Sequence, residues 1–232
     1  MKTLKNWTIV CKSMKYGQKG LLNYHRYLND ETRHTDQKIN NITPNQGLHK
    51  LLQKHQDFEL QNKLANKGGR PSNPGWSAMC SYPFNLDEKE FRKLKRNIFR
   101  DFYQFVSDKN KLRLTSKMID EQVDSSIAII HSGENINNHL HCIFNKVFET
   151  NPMLGKGKLV SIDLTQKKYS HMLKVLNDKW CSKLFNQNTI DHNIKQDQKP
   201  QKRRKSGITI TREKLDKSTK EVKLLRKVLE LE

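Results

Sequence analysis

The chain has 232 residues, enough for one substantial core with an appended arm, and its 44 lysines and arginines against 24 acidic residues give a formal charge of +20. The excess is spread along the whole length, so a polyanionic partner is expected. Nucleic acid is the preferred one: no apolar run approaches the roughly 20 residues of a spanning helix, which argues against a membrane partner. No signal-peptide pattern opens the chain, and four unpatterned cysteines point to free thiols in a reducing compartment, so the cytoplasm is expected.

In chain order, Trp7-Thr8-Ile9-Val10-Cys11 is β-branched and apolar and reads as a first strand, broken by Gly17 and Gly20. Leu21 to Tyr27 suits a short helix or turn, and the polar stretch Asn29 to Gln46 reads as loop. Helical spacing returns over His49 to Leu64. Gly68-Gly69-Arg70-Pro71 and the residues up to Gly75 form a connector whose exposed backbone and Arg70 could approach a phosphate. Trp76 to Phe84 predicts a strand with Trp76, Ala78, Cys80 and Tyr82 on one face.

Asn85 with Glu88 reads as a capping box, and Phe91, Leu94, Ile98, Phe102 and Phe105 recur at helical intervals on one face. Lys89, Arg92, Lys93, Lys95, Arg96 and Arg100 fill the remainder, a solvated basic face that could flank DNA. Ser125 to Ile130 is a short apolar strand running into His131, and a second strand is expected from His139 to Phe148. The turn formers Ser132 to Asn138 between them predict a hairpin.

Downstream, Gly155-Lys156-Gly157-Lys158 lacks the full Walker spacing and is read as loop. Leu159 to Ile162 suggests a brief strand and Tyr169 to Phe185 a helix. Residues 186 to 206 are polar and end in Lys202-Arg203-Arg204-Lys205, a basic linker able to add phosphate contacts. Leu215, Val222, Leu225 and Leu229 give the tail heptad-like spacing. So short a helix needs docking, or pairing with a second copy, so a homodimer through this segment is an expectation.

The strongest chemical signal is His131, Glu134, His139 and His141. Alternation along a strand sends His139 and His141 to one face and Cys142 to the other, so two imidazoles are offered to one ion and Cys142 is not a ligand. A hairpin adds His131. Several buried neutral imidazoles leave unpaired nitrogens that a divalent cation satisfies together. Imidazole suits Mn, Fe, Co, Ni and Zn, while the scattered Cys11, Cys80 and Cys181 do not build a structural zinc site.

The order His131, Glu134, His139-Leu140-His141, then Cys-Ile-Phe-Asn, resembles the metal motif of HUH endonucleases, and more closely that of Mob/Pre-type plasmid mobilization relaxases. Met14 to Gly20, then Tyr24-His25-Arg26 and Thr35 to Asn40, is similar to that family's opening motif. The likeness covers roughly residues 7 to 45 and 86 to 185. Gly133-Glu134 stands where the family has an acidic pair, the proline is missing, and one extra residue precedes His139. Family members are longer, so a minimal or truncated catalytic domain is expected.

The resemblance implies an α+β fold, with a central antiparallel sheet flanked by helices and a C-terminal helical arm. It divides the chain into a catalytic domain over 1–190 and a basic linker and helix over 191–232. It also implies metal-dependent, site- and strand-specific nicking and rejoining of DNA at a plasmid origin of transfer, through a covalent enzyme–5′-phosphate intermediate. His25 is carried over as the nucleophile, with the flanking Tyr24 and Tyr27 as alternatives. His131, His139 and His141 are carried over as metal ligands, and Glu134 as a fourth ligand or an orienting group. Mn2+ or Mg2+ is the expected cofactor, with Zn, Ni or Co as further candidates. Lys15, Arg26, Arg70, Lys202, Arg203 and Arg204 are candidate DNA contacts. Two rival readings are a rolling-circle replication initiator using Tyr169, and a non-catalytic basic DNA-binding protein.

Overall fold

The strand carrying the His-X-His pair runs down the middle of a five-stranded sheet in the computed structural model, which describes residues 8–14, 16–67, 73–133, 138–150 and 158–187. The elements in order are β1 (Thr8–Ser13), α1 (Gly17–Leu28), a 3-10 turn (Glu31–Arg33), β2 (Lys38–Asn41), α2 (Gly47–Leu64), β3 (Gly75–Tyr82) and α3 (Glu88–Lys109). Then come α4 (Ser116–Asp124), β4 (Ile127–Ser132), β5 (Asn138–Asn145), β6 (Val147–Glu149), β7 (Leu159–Ser161) and α5 (Lys167–Phe185). The order across the sheet is β1-β3-β5-β4-β2, every neighbouring pair antiparallel, and β6 and β7 form a separate two-stranded ribbon. The fold is therefore α+β, as expected.

Strand periodicity divides the interior into two layers. Trp76, Ala78, Cys80 and Tyr82 of β3, Ala128 and Ile130 of β4, and Leu140, Cys142 and Phe144 of β5 face one way. They meet Phe91, Leu94, Ile98, Phe99 and Phe102 of α3, Ile119 and Val123 of α4, and Tyr169, Leu173 and Leu176 of α5. Each fully buried Leu or Phe contributes about 1.5–3 kcal/mol relative to exposure. On the opposite face, Ile127, Ile129 and Ile143 pack with Leu21 and Leu28 of α1 and Leu51 of α2 in a smaller cluster. The three histidines continue this second face.

Several element boundaries depart from the sequence expectations. Helix α3 is capped two residues later than expected: Asp87 accepts from the Glu90 N–H at 2.7 Å, and the Glu90 carboxylate accepts from the Asp87 N–H at 2.8 Å. An aspartate two positions on supplies the same reciprocal cap as Asn85 and Glu88 would have done. Strand β1 ends at Ser13, before the glycines expected to break it, and Gly17 and Gly20 lie in the first turn of α1, after Tyr16 adopts a left-handed φ of 64°.

The polar stretch from Asn29 to Gln46, expected as loop, contains β2, whose four residues pair with β4 in the register Ile39 to His131 and Asn40 to Ile130. Pairing to a neighbouring strand, not propensity, makes it a strand. Helix α4 has no counterpart among the expected elements; Thr115 caps it, its hydroxyl accepting from the Met118 N–H at 3.3 Å. The strand expected to run unbroken to Phe148 stops at Asn145, because the Asn145 side-chain oxygen accepts the Val147 N–H at 2.9 Å and turns the chain into the β6–β7 ribbon. Gln122 holds that corner, donating to the Val147 carbonyl at 2.8 Å.

Candidate metal centre

Antiparallel pairing sets His131 of β4 directly opposite His139 of β5, and the two-residue period puts His141 on the same face. The ring centroids are 5.3 Å apart for His131 and His139, 4.6 Å for His131 and His141, and 5.0 Å for His139 and His141. One donor nitrogen from each lies within 4.8 Å of the others, so this cluster could hold a metal ion. His131 is fully buried and His141 is 8% exposed.

The hydrogen bonding of His131 defines its tautomer. Its Nε2 lies 2.7 Å from the Leu28 carbonyl oxygen, which can only accept, so Nε2 carries the hydrogen and Nδ1 keeps its lone pair. That Nδ1, and Nδ1 of His141, are buried without a hydrogen-bond partner. Unpartnered buried acceptors are costly in a folded protein, and a cation removes the cost. A metal-bound histidine characteristically donates its other ring N–H to a backbone carbonyl, as His131 does. Burial, above all, drives the His131 pKa down to about 4 and the His141 pKa to about 3, with neighbouring imidazoles adding to the effect. Both rings are neutral at pH 7 and need lose no proton to bind a cation.

The N-terminal candidates sit on α1, the helix whose last carbonyls meet this cluster. His25 lies three residues before Leu28, and its Nε2 is 3.4 Å from the Asn29 side-chain nitrogen. Asn29 is itself tethered to Asn41 of β2, whose amide donates to the Asn29 side-chain oxygen at 3.1 Å. Burial lowers the His25 pKa, leaving a neutral imidazole. Tyr24 packs against the Ile127 and Ile129 cluster and stacks on Tyr27 at 6.3 Å, and burial pushes its phenol up to about 12. A phenolate is thus harder to reach at Tyr24 than a lone pair is at His25. Tyr27 is 42% exposed, and Arg26 is exposed to solvent.

Tyr169, the nucleophile of the rolling-circle alternative, is fully buried in the large helical layer, on the opposite side of the sheet from the histidines. Its hydroxyl accepts from the Asn110 amide at 3.0 Å, and its ring packs against Phe102 and Phe105. That position removes it as a partner for this cluster. Three members of the expected basic face of α3 are also engaged elsewhere: Lys95 is buried over the Phe99 ring at 5.2 Å, Arg100 pairs with Asp120, and Arg92 pairs with Glu88 at 2.7 Å. Cys142 lies on the opposite face from the histidines, as the alternation required. Lys15, Arg70, Glu134, Lys202, Arg203, Arg204 and the heptad-like tail lie outside the described residues.

One neighbour of the site escaped sequence reasoning. His34, just after the 3-10 turn, has its ring centroid 4.5 Å from that of His131 and 5.1 Å from that of Tyr27. It precedes His131 by 97 positions and sits in a polar stretch, so spacing held no hint of it. Among the described residues, no helix is long and apolar enough to cross a membrane. In comparisons with known proteins, no family model, no curated protein and no solved structure matches the chain. Its residue pattern and geometry are therefore the grounds on which a function can be argued.

Proposed function

We propose that the chain is a metal-dependent DNA nickase and strand transferase of the HUH type, similar to Mob/Pre relaxases, that cuts one strand and keeps its bond energy in a covalent enzyme–phosphate link. The observation that carries the reading is the join between His131 and the end of α1. Three imidazole donors share one face of the sheet, and one of them, His131, is bonded to the Leu28 carbonyl, about one helical turn, some 5 Å of rise, along α1 from His25. The +20 charge supports a DNA substrate, and the neutral His25 imidazole supports the attacking role.

In this reading a divalent cation held by His131, His139 and His141 supplies charge neutralisation for a phosphate oxygen. His25 uses a ring lone pair to form a nitrogen–phosphorus bond while the bond from phosphorus to the 3′-oxygen breaks. The departing 3′-oxygen takes a proton from water while the phosphorylated ring gives up its N–H proton, and later attack by the 3′-hydroxyl on the same phosphorus, with those protons returned, restores the strand and frees His25. Asn29, tied to Asn41, orients the His25 ring. The substrate is plasmid DNA in the cytoplasm, at an origin of transfer.

The deciding experiment incubates the full chain with a supercoiled plasmid carrying the DNA that flanks its own coding sequence, with Mn2+ or with EDTA. Conversion to the relaxed form with protein attached to the new 5′ end, in Mn2+ only, is expected. Tight binding without any nick would favour the non-catalytic DNA-binding alternative and sink this reading.

A further inference from the structure

His34 enters the cluster from a different direction and by the same device as His131. Its ring Nε2 lies 3.3 Å from the Tyr27 carbonyl oxygen, one residue before the carbonyl that His131 uses. The carbonyls at the end of α1 lie beyond the regular helical ladder, and an imidazole has come to each of two neighbouring ones, the Tyr27 oxygen also accepting the Asp30 N–H at 3.3 Å. A carbonyl accepts only, which assigns the hydrogen of neutral His34 to Nε2 and leaves the lone pair on Nδ1. Fixing the tautomer through a backbone carbonyl is what metal-ligating histidines do with the nitrogen that does not bind.

The surroundings reinforce the pairing. The His34 ring stands edge-on to His131, with an interplanar angle of 61°, and edge-on to Tyr27, at 66°. It is half-buried and comes directly after a three-residue 3-10 turn, Glu31–Arg33, so the backbone that carries it is short and exposed. The donor atoms of His131, His139 and His141 already lie within 4.8 Å of one another, and His34 flanks that set instead of belonging to it. An approach of the turn toward that set would add a fourth nitrogen.

We propose that His34 is a fourth imidazole ligand of the metal centre, recruited through Nδ1 when a borderline transition ion such as Zn2+ or Co2+ enters. The inference rests on the metal-centre reading and deepens it by naming the ion class. A set of four neutral nitrogens favours ions that take imidazole, whereas Mg2+ prefers oxygen and retains its waters. The alternative is that His34 is a packing residue whose ring merely covers His131.

The test is a Zn2+ titration of the metal-stripped full chain and its variants, followed by calorimetry and by long-range 1H–15N correlation of the imidazole rings. The variant that separates the two roles is His34→Phe, which keeps an aromatic edge against His131 and Tyr27 but offers no nitrogen. A ligand predicts that His34→Ala and His34→Phe both weaken Zn2+ binding by roughly 10-fold or more. It also predicts that the His34 Nδ1 resonance, identified by its loss in His34→Phe, shifts on Zn2+ addition. Wild-type affinity in His34→Phe, or an Nδ1 resonance that does not move, would overturn the proposal even if His34→Ala is impaired. If His139→Ala abolishes binding while His34→Phe does not alter it, only this proposal fails. If the wild-type chain takes up no Zn2+, the metal centre fails with it.

Discussion

His131 and Leu28 are 103 positions apart in the chain, yet the imidazole Nε2 of one lies 2.7 Å from the carbonyl oxygen of the other. This bond joins the sheet that displays the imidazoles to the helix that carries His25. It also leaves the His131 Nδ1 buried with its lone pair unused. The proposed chemistry starts from it.

Metal binding should show as stabilisation. A cation that binds only the folded chain adds RT ln(1 + [L]/Kd), about 2.7 kcal/mol at 100 times Kd, which for a domain of this size raises Tm by roughly 5–10 °C. Thermal melts with Mn2+ or Zn2+ against EDTA are expected to show that shift in the wild type and to lose it in His139→Ala and His141→Ala. A shift that survives in both variants would place the ion elsewhere.

The identity of the attacking group is read from trapped adducts. His25→Ala should nick no plasmid while retaining DNA binding in gel shifts to within about twofold, since one neutral imidazole adds no phosphate charge neutralisation. Tyr24→Phe and Tyr27→Phe should still nick. Mass spectrometry should find the nucleotide on the peptide containing His25; finding it on Tyr24 or Tyr27 would reassign the nucleophile.

Acid should destabilise the metal-stripped protein, with the sign set by His131 and His141. Unfolded, both titrate at ~6.5, whereas burial lowers them to about 4 and about 3 in the fold. Between those limits the unfolded chain binds more protons, so stability is fully present above the unfolded pKa and falls as pH drops toward the folded values. The slope is about 1.4 kcal/mol per pH unit for each such proton. Urea midpoints at pH 7.5, 6 and 5 should decline, and His131→Asn with His141→Asn should flatten the decline. An unchanged slope in that double variant would refute the assignment.

Gly47 opens α2 where no side chain fits. A Cβ there would come within 2.7 Å of the Thr43 methyl and 3.1 Å of the Asp124 carbonyl oxygen. Thr43 cannot turn aside freely, because its hydroxyl donates to the Ala128 carbonyl at 3.2 Å and accepts from the Ala128 N–H at 3.1 Å. Gly47→Ala should therefore cost about 1–3 kcal/mol despite the better helix propensity of alanine. Chemical denaturation measures it, and a neutral or stabilising result would show that the contact relaxes.

Much of the fold is legible from local pattern. Helical intervals from Phe91 to Phe105, the alternation of Trp76, Ala78, Cys80 and Tyr82, and the face shared by His139 and His141 depend only on the 3.6 and 2.0 periods of regular backbone. The polar β2 is not legible, because Lys38-Ile39-Asn40-Asn41 becomes a strand only by pairing with β4. The cap of α3 is displaced by two residues because two overlapping pairs, Asn85 with Glu88 and Asp87 with Glu90, fit one spacing rule and packing selects the second.

The amino-acid order by itself determined the three imidazoles, the common face of His139 and His141, the strongly basic charge and the main strand and helix patterns, since periodicity and composition act over a few residues or over the whole chain at once. Only the tertiary structure decided that the end of α1 docks on His131, that His34 joins the cluster, and that Tyr169 is sealed behind the sheet. Those outcomes depend on which carbonyl meets which ring across a long intervening stretch of chain. No local period carries such contacts, because they exist only once both layers have packed.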